Sequence, residues 1–134
     1  MKLIDMGTAK FLKGKGGKTF TIIGTPHYMA PEIITGKGYN YSVDLWSIGI
    51  CLYEFMCGAV PFAEDAEDPY EIYEEIIKKD ITYPNYLKDK KAKKLMGKNI
   101  ILFYNNFILL LIILDQLLSR VPEVRLGGSY ATLK

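Results

Sequence analysis

The clearest helical pattern in the chain runs from Asp44 to Cys57, where Leu45, Ile48, Gly49, Leu52, Tyr53, Phe55 and Met56 are apolar most of the way round. A helix of that kind is expected to be buried. Ser42 is placed to cap its start and Gly58 to end it. Pro69 can open a second helix, Tyr70–Lys79, in which Tyr70, Tyr73, Ile76 and Ile77 make one apolar stripe. Lys90–Met96 begins a third amphipathic helix, expected to continue around Leu117–Leu118. Met1–Asp5 reads as a short apolar strand. Between strand and helices, Gly7–Gly24 is rich in Gly, Lys and Thr, and Gly14, Gly16 and Gly17 argue against regular structure. Loops of this length inside compact domains are usually functional or disordered. Pro26 and Pro31 frame a rigid turn within Thr25–Glu32, and Pro31 can open a short helix. Tyr83, Pro84 and Tyr86 mark an extended connection, and the acidic run Glu64–Asp68 reads as a solvated loop. No internal repeat is present.

Composition narrows the classes. A chain of 134 residues can bury the core of one modest domain. With 49% hydrophobic and 24% charged residues it reads as globular rather than disordered. A net charge of +2 is too small to argue for nucleic acid or an anionic membrane surface. Cys51 and Cys57 form no Cys-x-x-Cys and have no histidine pair nearby, so two buried thiols in a reducing compartment are expected rather than a disulfide or zinc site. The N-terminus has no basic stretch followed by an apolar core, so no signal peptide is expected, and the location expected is cytoplasmic.

Three motifs carry the chemistry. In Lys2-Leu3-Ile4-Asp5-Met6-Gly7 an Asp ends an apolar run, and a glycine permits the sharp turn that points a carboxylate at a metal. Gly24-Thr25-Pro26-His27-Tyr28-Met29-Ala30-Pro31-Glu32 follows, and then Asp44-Leu45-Trp46-Ser47-Ile48-Gly49, with Leu52-Tyr53-Glu54 after it. In this order and spacing the chain resembles eukaryotic serine/threonine protein kinases, over Lys2 to about Met96 and again over Gln116–Gly127. Within them, Thr19-Phe20-Thr21-Ile22-Ile23-Gly24-Thr25-Pro26 is similar to the cyclic-nucleotide-regulated branch of the AGC group. His27 in its context is most like the cGMP-dependent kinases of apicomplexan type.

The resemblance implies a role for each matching residue. Asp5 would chelate the Mg²⁺ that bridges the phosphates of ATP, with Gly7 allowing the turn and Met6 in the place of a packing Phe. Thr21 matches the activation-loop phosphorylation site, and Lys10 one of its phosphate partners. Thr25 matches a threonine that supports the catalytic Asp and Lys. Ile22, Pro26 and Met29 match the wall of an apolar pocket for the residue after the phosphoacceptor. Glu54 matches a carboxylate that binds a substrate arginine through a bidentate pair, so substrates should carry Arg or Lys before Ser/Thr. His27 stands where some relatives have a further acidic contact and is given no catalytic role. Glu32 and Arg125 match a buried ion pair, Asp44 a buried carboxylate that anchors the catalytic loop, and Trp46 and Gly49 packing positions.

Several kinase parts have no counterpart in the sequence: a Gly-rich loop, a strand lysine paired with a helix glutamate, and a catalytic loop with its base. The chain alone is therefore expected to be inactive, and marginally stable or molten. The fold class expected is mainly α, a partial kinase C-terminal lobe without the N-terminal lobe, with a strand remnant at Leu3–Ile4. Residues 1–134 form a partial catalytic domain: 1–32 the metal motif and activation segment, 33–96 and 116–134 the helical lobe, and 97–115 an apolar insert. Asn99–Leu114 contains only Ile, Leu, Phe, Tyr and Asn. A membrane span, which needs ~20 apolar residues, an extra helix and a translated intron all compete for it. The intron is favoured, since A/T-rich codons encode all five residue types and the ends can be encoded as splice-like GGTAAA and TTAGAT. Splicing would join Met96 to a single Asp and then Gln116, in frame.

Three functions stand open: phosphoryl transfer by a complete parent enzyme, regulated by cGMP through domains outside this chain; a catalytically inactive remnant acting through binding; and a small membrane-associated protein resting on Ile100–Leu114 alone.

Overall fold

The computed structural model describes residues 4–14, 17–85, 113–123 and 125. In chain order it has a 3-10 turn at Pro26–Tyr28, then α1 (Pro31–Ile34), α2 (Ser42–Cys57) and α3 (Pro69–Lys78), with a further helical stretch at 113–117. Among the described residues there is no strand, only an antiparallel bridge between Thr19 and Tyr39, whose amides and carbonyls exchange hydrogen bonds of 2.9 Å. The strand expected at Leu3–Ile4 is absent at Ile4, which is 84% exposed with no pairing partner among the described residues, while Leu3 lies outside them. The helix expected over Lys90–Met96, and all of the apolar segment before Ile113, also lie outside them.

Local chemistry sets the helix ends. α2 starts at Ser42 itself, with Tyr41 preceding it, because the Asn40 side chain already accepts the Ser42 amide at 3.0 Å. Ser42 is thus the first helical residue rather than the cap. At the other end Gly58 takes φ +79°, a left-handed conformation that a side chain disfavours, and its amide donates to the Glu54 carbonyl. α3 begins on Pro69 after Asp68, whose carboxylate accepts the Tyr70 amide at 3.0 Å.

The faces these helices bury differ from the sequence expectation. α2 is one-sided: Ser42, Val43, Trp46, Gly49, Ile50 and Tyr53 are buried, while Phe55 is 84% exposed and Ile48 also faces out. In α3 the buried pair is Ile72 and Ile76, one turn apart, rather than a stripe running through Tyr70 and Ile77. Tyr70 instead lies on the surface with its ring edge-on to Tyr73.

One core joins all the pieces. Trp46 stacks on Phe62 with centroids 6.3 Å apart, and Ile33, Ile50, Ile72, Ile76, Leu114 and Leu118 close around them. Tyr53 donates to the Thr82 carbonyl at 2.6 Å, and its ring packs against Tyr83, which donates to Asp115. Burial, together with that bond to Asp115, pushes the Tyr83 phenol up, so it remains a donor. Arg120 closes the C-terminus of α3 by donating to the carbonyls of Ile76 and Lys79. Cys51 and Cys57 are in no disulfide among the described residues and are half-buried rather than fully buried, and burial pushes the Cys51 thiol up.

The 113–117 stretch reaches α2 where α2 has no side chain. A Cβ on Gly49 would lie 2.7 Å from Leu118 Cδ2 and 3.0 Å from Leu117 Cβ. Overpacking typically costs about 1–3 kcal/mol, and replacing a helical glycine returns at most about 1 kcal/mol. Gly49→Ala should therefore lower stability in urea denaturation by roughly 1 kcal/mol. An unchanged or raised midpoint would show that the two segments do not press on each other.

Candidate functional site

The metal motif sits on an exposed turn. Asp5 adopts φ +60°, a conformation uncommon for a residue with a side chain, and Oδ1 lies 3.4 Å from the Gly7 amide. The turn continues with the Ala9 amide bonded to the Met6 carbonyl. Met6 is exposed and fills no pocket among the described residues. Among those residues no three His, Cys, Asp or Glu side chains gather as a metal cluster.

The threonine expected to be phosphorylated is tied into the bridge region. Lys10 donates from Nζ to Thr19 Oγ1 at 2.9 Å, and that hydroxyl lies 3.5 Å from Thr21 Oγ1. Lys10 therefore stands one hydroxyl away from Thr21, with buried Thr19 between them. The Tyr39 hydroxyl donates to the Thr21 carbonyl, which holds the backbone while the Thr21 side chain stays at the surface.

The residues of the expected apolar pocket are not gathered into one open cleft. Met29 is buried in the core, Pro26 is half-buried in the 3-10 turn, and Ile22 is exposed. Thr25 precedes the turn and is exposed, with no side-chain capping bond. Asp44, expected as a buried carboxylate, is also exposed: it sits in the first turn of α2 on the solvent side, and the loop it would anchor has no counterpart in this sequence.

The 3-10 turn is fastened on two sides. His27 Nε2 lies 3.0 Å from the Ala63 carbonyl, so in this tautomer it donates. Ala63 has φ +46°, and its amide donates to Glu75 Oε2 at 2.7 Å. Its hydrogen bond from Lys79 holds the Glu75 carboxyl below the usual range, against the opposing effect of burial. On the other side, the Tyr28 hydroxyl donates to Glu54 Oε2 at 2.7 Å. That bond, with burial and the nearby charge, pushes the Tyr28 phenol up to about 12. Ser47 Oγ donates to the Tyr28 carbonyl at 3.0 Å and also lies 3.2 Å from its own i−4 carbonyl, Val43.

Below the turn, Arg125 is fully buried and forks onto Glu32, Nη1 to Oε1 at 2.9 Å and Nη2 to Oε2 at 3.2 Å. It also donates to the carbonyls of Ser42 and Ser119, and its guanidinium lies 5.3 Å from the centroid of the Trp46 ring. Trp46 is fully buried and its Nε1 has no partner among the described residues.

Sequence reasoning gave no role to Tyr28, Ser47 or Thr19, and gave Ser42 only that of a helix cap. Tyr28 lay inside a quoted motif, but its contact with Glu54 spans 26 residues and leaves no local signature.

Comparison with known proteins decides the family. The protein kinase domain matches residues 1–131. The chain belongs to the protein kinase domain family. It is 45% identical over 129 residues, 96% of its length, to the cGMP-dependent protein kinases of Toxoplasma gondii and Eimeria tenella. It is 42% identical over 98 residues to the cAMP-dependent protein kinase catalytic subunit 3 of Drosophila melanogaster, covering 73% of this chain and 16% of that one. The chain spans 11% of the length of the two cGMP-dependent kinases. As a kinase-domain segment it is mainly helical over its described residues, and its relatives are serine/threonine kinases of the AGC group.

Proposed function

We propose that this chain is the stretch of a serine/threonine kinase that runs from the metal motif through the activation segment into the C-terminal helical lobe, of an enzyme regulated by cGMP through other domains. The observation that carries this is the 45% identity to cGMP-dependent kinases over nearly the whole chain. In the parent enzyme the γ-phosphate of ATP passes to Ser/Thr in proteins with basic residues before the acceptor, in the cytoplasm. Glu54 supplies the carboxylate for a basic residue, Thr21 is the phosphorylation site that orders the loop with Lys10 as a partner, and Thr25, Ile22 and Pro26 belong to the acceptor side, with Met29 in the core.

Mg²⁺ is held by one or two carboxylates together with nucleotide phosphates and water, and the exposed Asp5 carboxylate on its strained turn suits one such contact. An ion held there would supply charge neutralisation at the phosphates. Asp5 orients; it moves no proton.

The isolated chain has no catalytic-loop base in its sequence and should transfer no phosphate. Incubating the purified chain with Mg-ATP and a basic Ser peptide should give no incorporation, whereas the full-length kinase should label the peptide. Robust labelling by the chain alone would contradict this division of roles.

The apolar segment 97–115 is proposed to be a translated intron. Leu114 is fully buried in the core, and splicing would put Met96, two residues before Gln116, in its place. Leu and Met exchange at little cost in volume, so the spliced chain keeps the core contact. Sequencing the mature transcript should show Met96 joined to a single Asp and then Gln116; retention of the codons between would make the segment genuine protein.

A further inference from the structure

Resting on the reading of Thr21 as the activation-loop phosphorylation site, we propose that Tyr39 is a positioning residue for phosphoryl transfer: from the connection between α1 and α2 it holds the activation segment in place, in parallel with a phosphate on Thr21. Three consecutive residues of the segment are gripped by two residues of that connection. Thr19 and Tyr39 exchange both backbone hydrogen bonds at 2.9 Å. The Phe20 ring lies against Gly38, where a Cβ would come within 2.7 Å of Cε1 and 2.9 Å of Cζ. The Tyr39 hydroxyl donates to the Thr21 carbonyl.

One bridged pair fixes a loop poorly, because its hydrogen bonds must offset the backbone entropy of every residue it orders. The phenol adds a third bond two residues further along, beside the residues that lead to Ile22, Thr25 and Pro26. Gly38 lets the connection come this close: it is buried, takes φ +77°, and has no side chain to push Phe20 away. The grip is on the main chain of Thr21. Its hydroxyl stays at the surface, 3.5 Å from Thr19 Oγ1, which Lys10 already meets. A phosphate on that hydroxyl displaces none of the contacts from Tyr39 and can draw on Lys10. The two anchors therefore act side by side, and the segment is released only when both are gone.

The test is a double-mutant cycle in the full-length kinase at saturating cGMP, with a basic Ser peptide and phosphate on Thr21 confirmed by mass spectrometry. Values of kcat/KM are measured for wild type, Tyr39→Phe, Thr21→Val and the double variant; Thr21→Val removes the phosphate and keeps the carbonyl that Tyr39 holds. The loss from Tyr39→Phe should be about three- to tenfold larger in the Thr21→Val background than beside the phosphate, the worth of one hydrogen bond. A merely structural role lowers kcat/KM alike in both backgrounds, and equal losses would overturn the role of Tyr39 while leaving that of Thr21. Gly38→Ala pushes on Phe20 and keeps the phenol; it should show the same coupling, and it decides the matter where Tyr39→Phe yields no folded enzyme. A Thr21→Val kinase with no activity also overturns the inference, because Tyr39 then holds nothing by itself. An active kinase without phosphate on Thr21, or a Thr21→Val change without effect in any background, overturns the reading of Thr21 and the inference with it.

Discussion

A guanidinium has five N–H donors and no acceptor, so burying one in an apolar core is ruinous unless every donor is met. Arg125 meets all of them: Nε and Nη2 reach the Ser119 carbonyl, Nη1 and Nη2 fork onto Glu32, and Nη1 also reaches the Ser42 carbonyl. The flat cation lies over the Trp46 ring, where the aromatic face is attractive to it. Three segments are forced to one point: α1 through Glu32, the first turn of α2, and the chain after the 113–117 helix. Their arrangement follows from satisfying this one charge.

The consequence for function runs upward from that point. Glu32 lies in the first turn of α1, shortly after the turn that carries His27 and Tyr28. With Glu32 fixed below, Ser47 and Glu54 on α2 and Ala63 beyond it can each reach the turn. The surface that faces substrate in the proposed function is therefore anchored to the same helix as the buried pair. By contrast, the Asp5 turn, Phe11 and the outer face of α2 with Ile48 and Phe55 are exposed and lack cover among the described residues.

Much of this was legible locally. Gly58 and Pro69 mark helix ends because each has one strong backbone preference, and α2 and α3 lie within a residue or two of the pattern that announces them. The faces were harder. The apolar residues of α2 run most of the way round it, so periodicity could not say which side is buried, and it is Trp46, Gly49 and Ile50 rather than Ile48 and Phe55. The start of α2 went to Ser42 on residue type, whereas the Asn40 side chain does the capping from two residues upstream. Long-range polar contacts left no trace in spacing at all: Glu32 and Arg125 are 93 residues apart, and only resemblance to a family paired them. Tyr28 with Glu54 had neither signal. Asp44, expected from the resemblance to be a buried anchor for a loop that this sequence does not contain, has its carboxylate at the surface.

The most direct test is a double-mutant cycle on the pair at the base, Glu32→Gln and Arg125→Met, followed by urea denaturation of the full-length kinase. Each single change leaves a buried charge or donor set without its partner and should cost about 3–5 kcal/mol, while the double change should cost far less than the sum. Small, additive losses would mean that the three segments are held together by something other than Arg125.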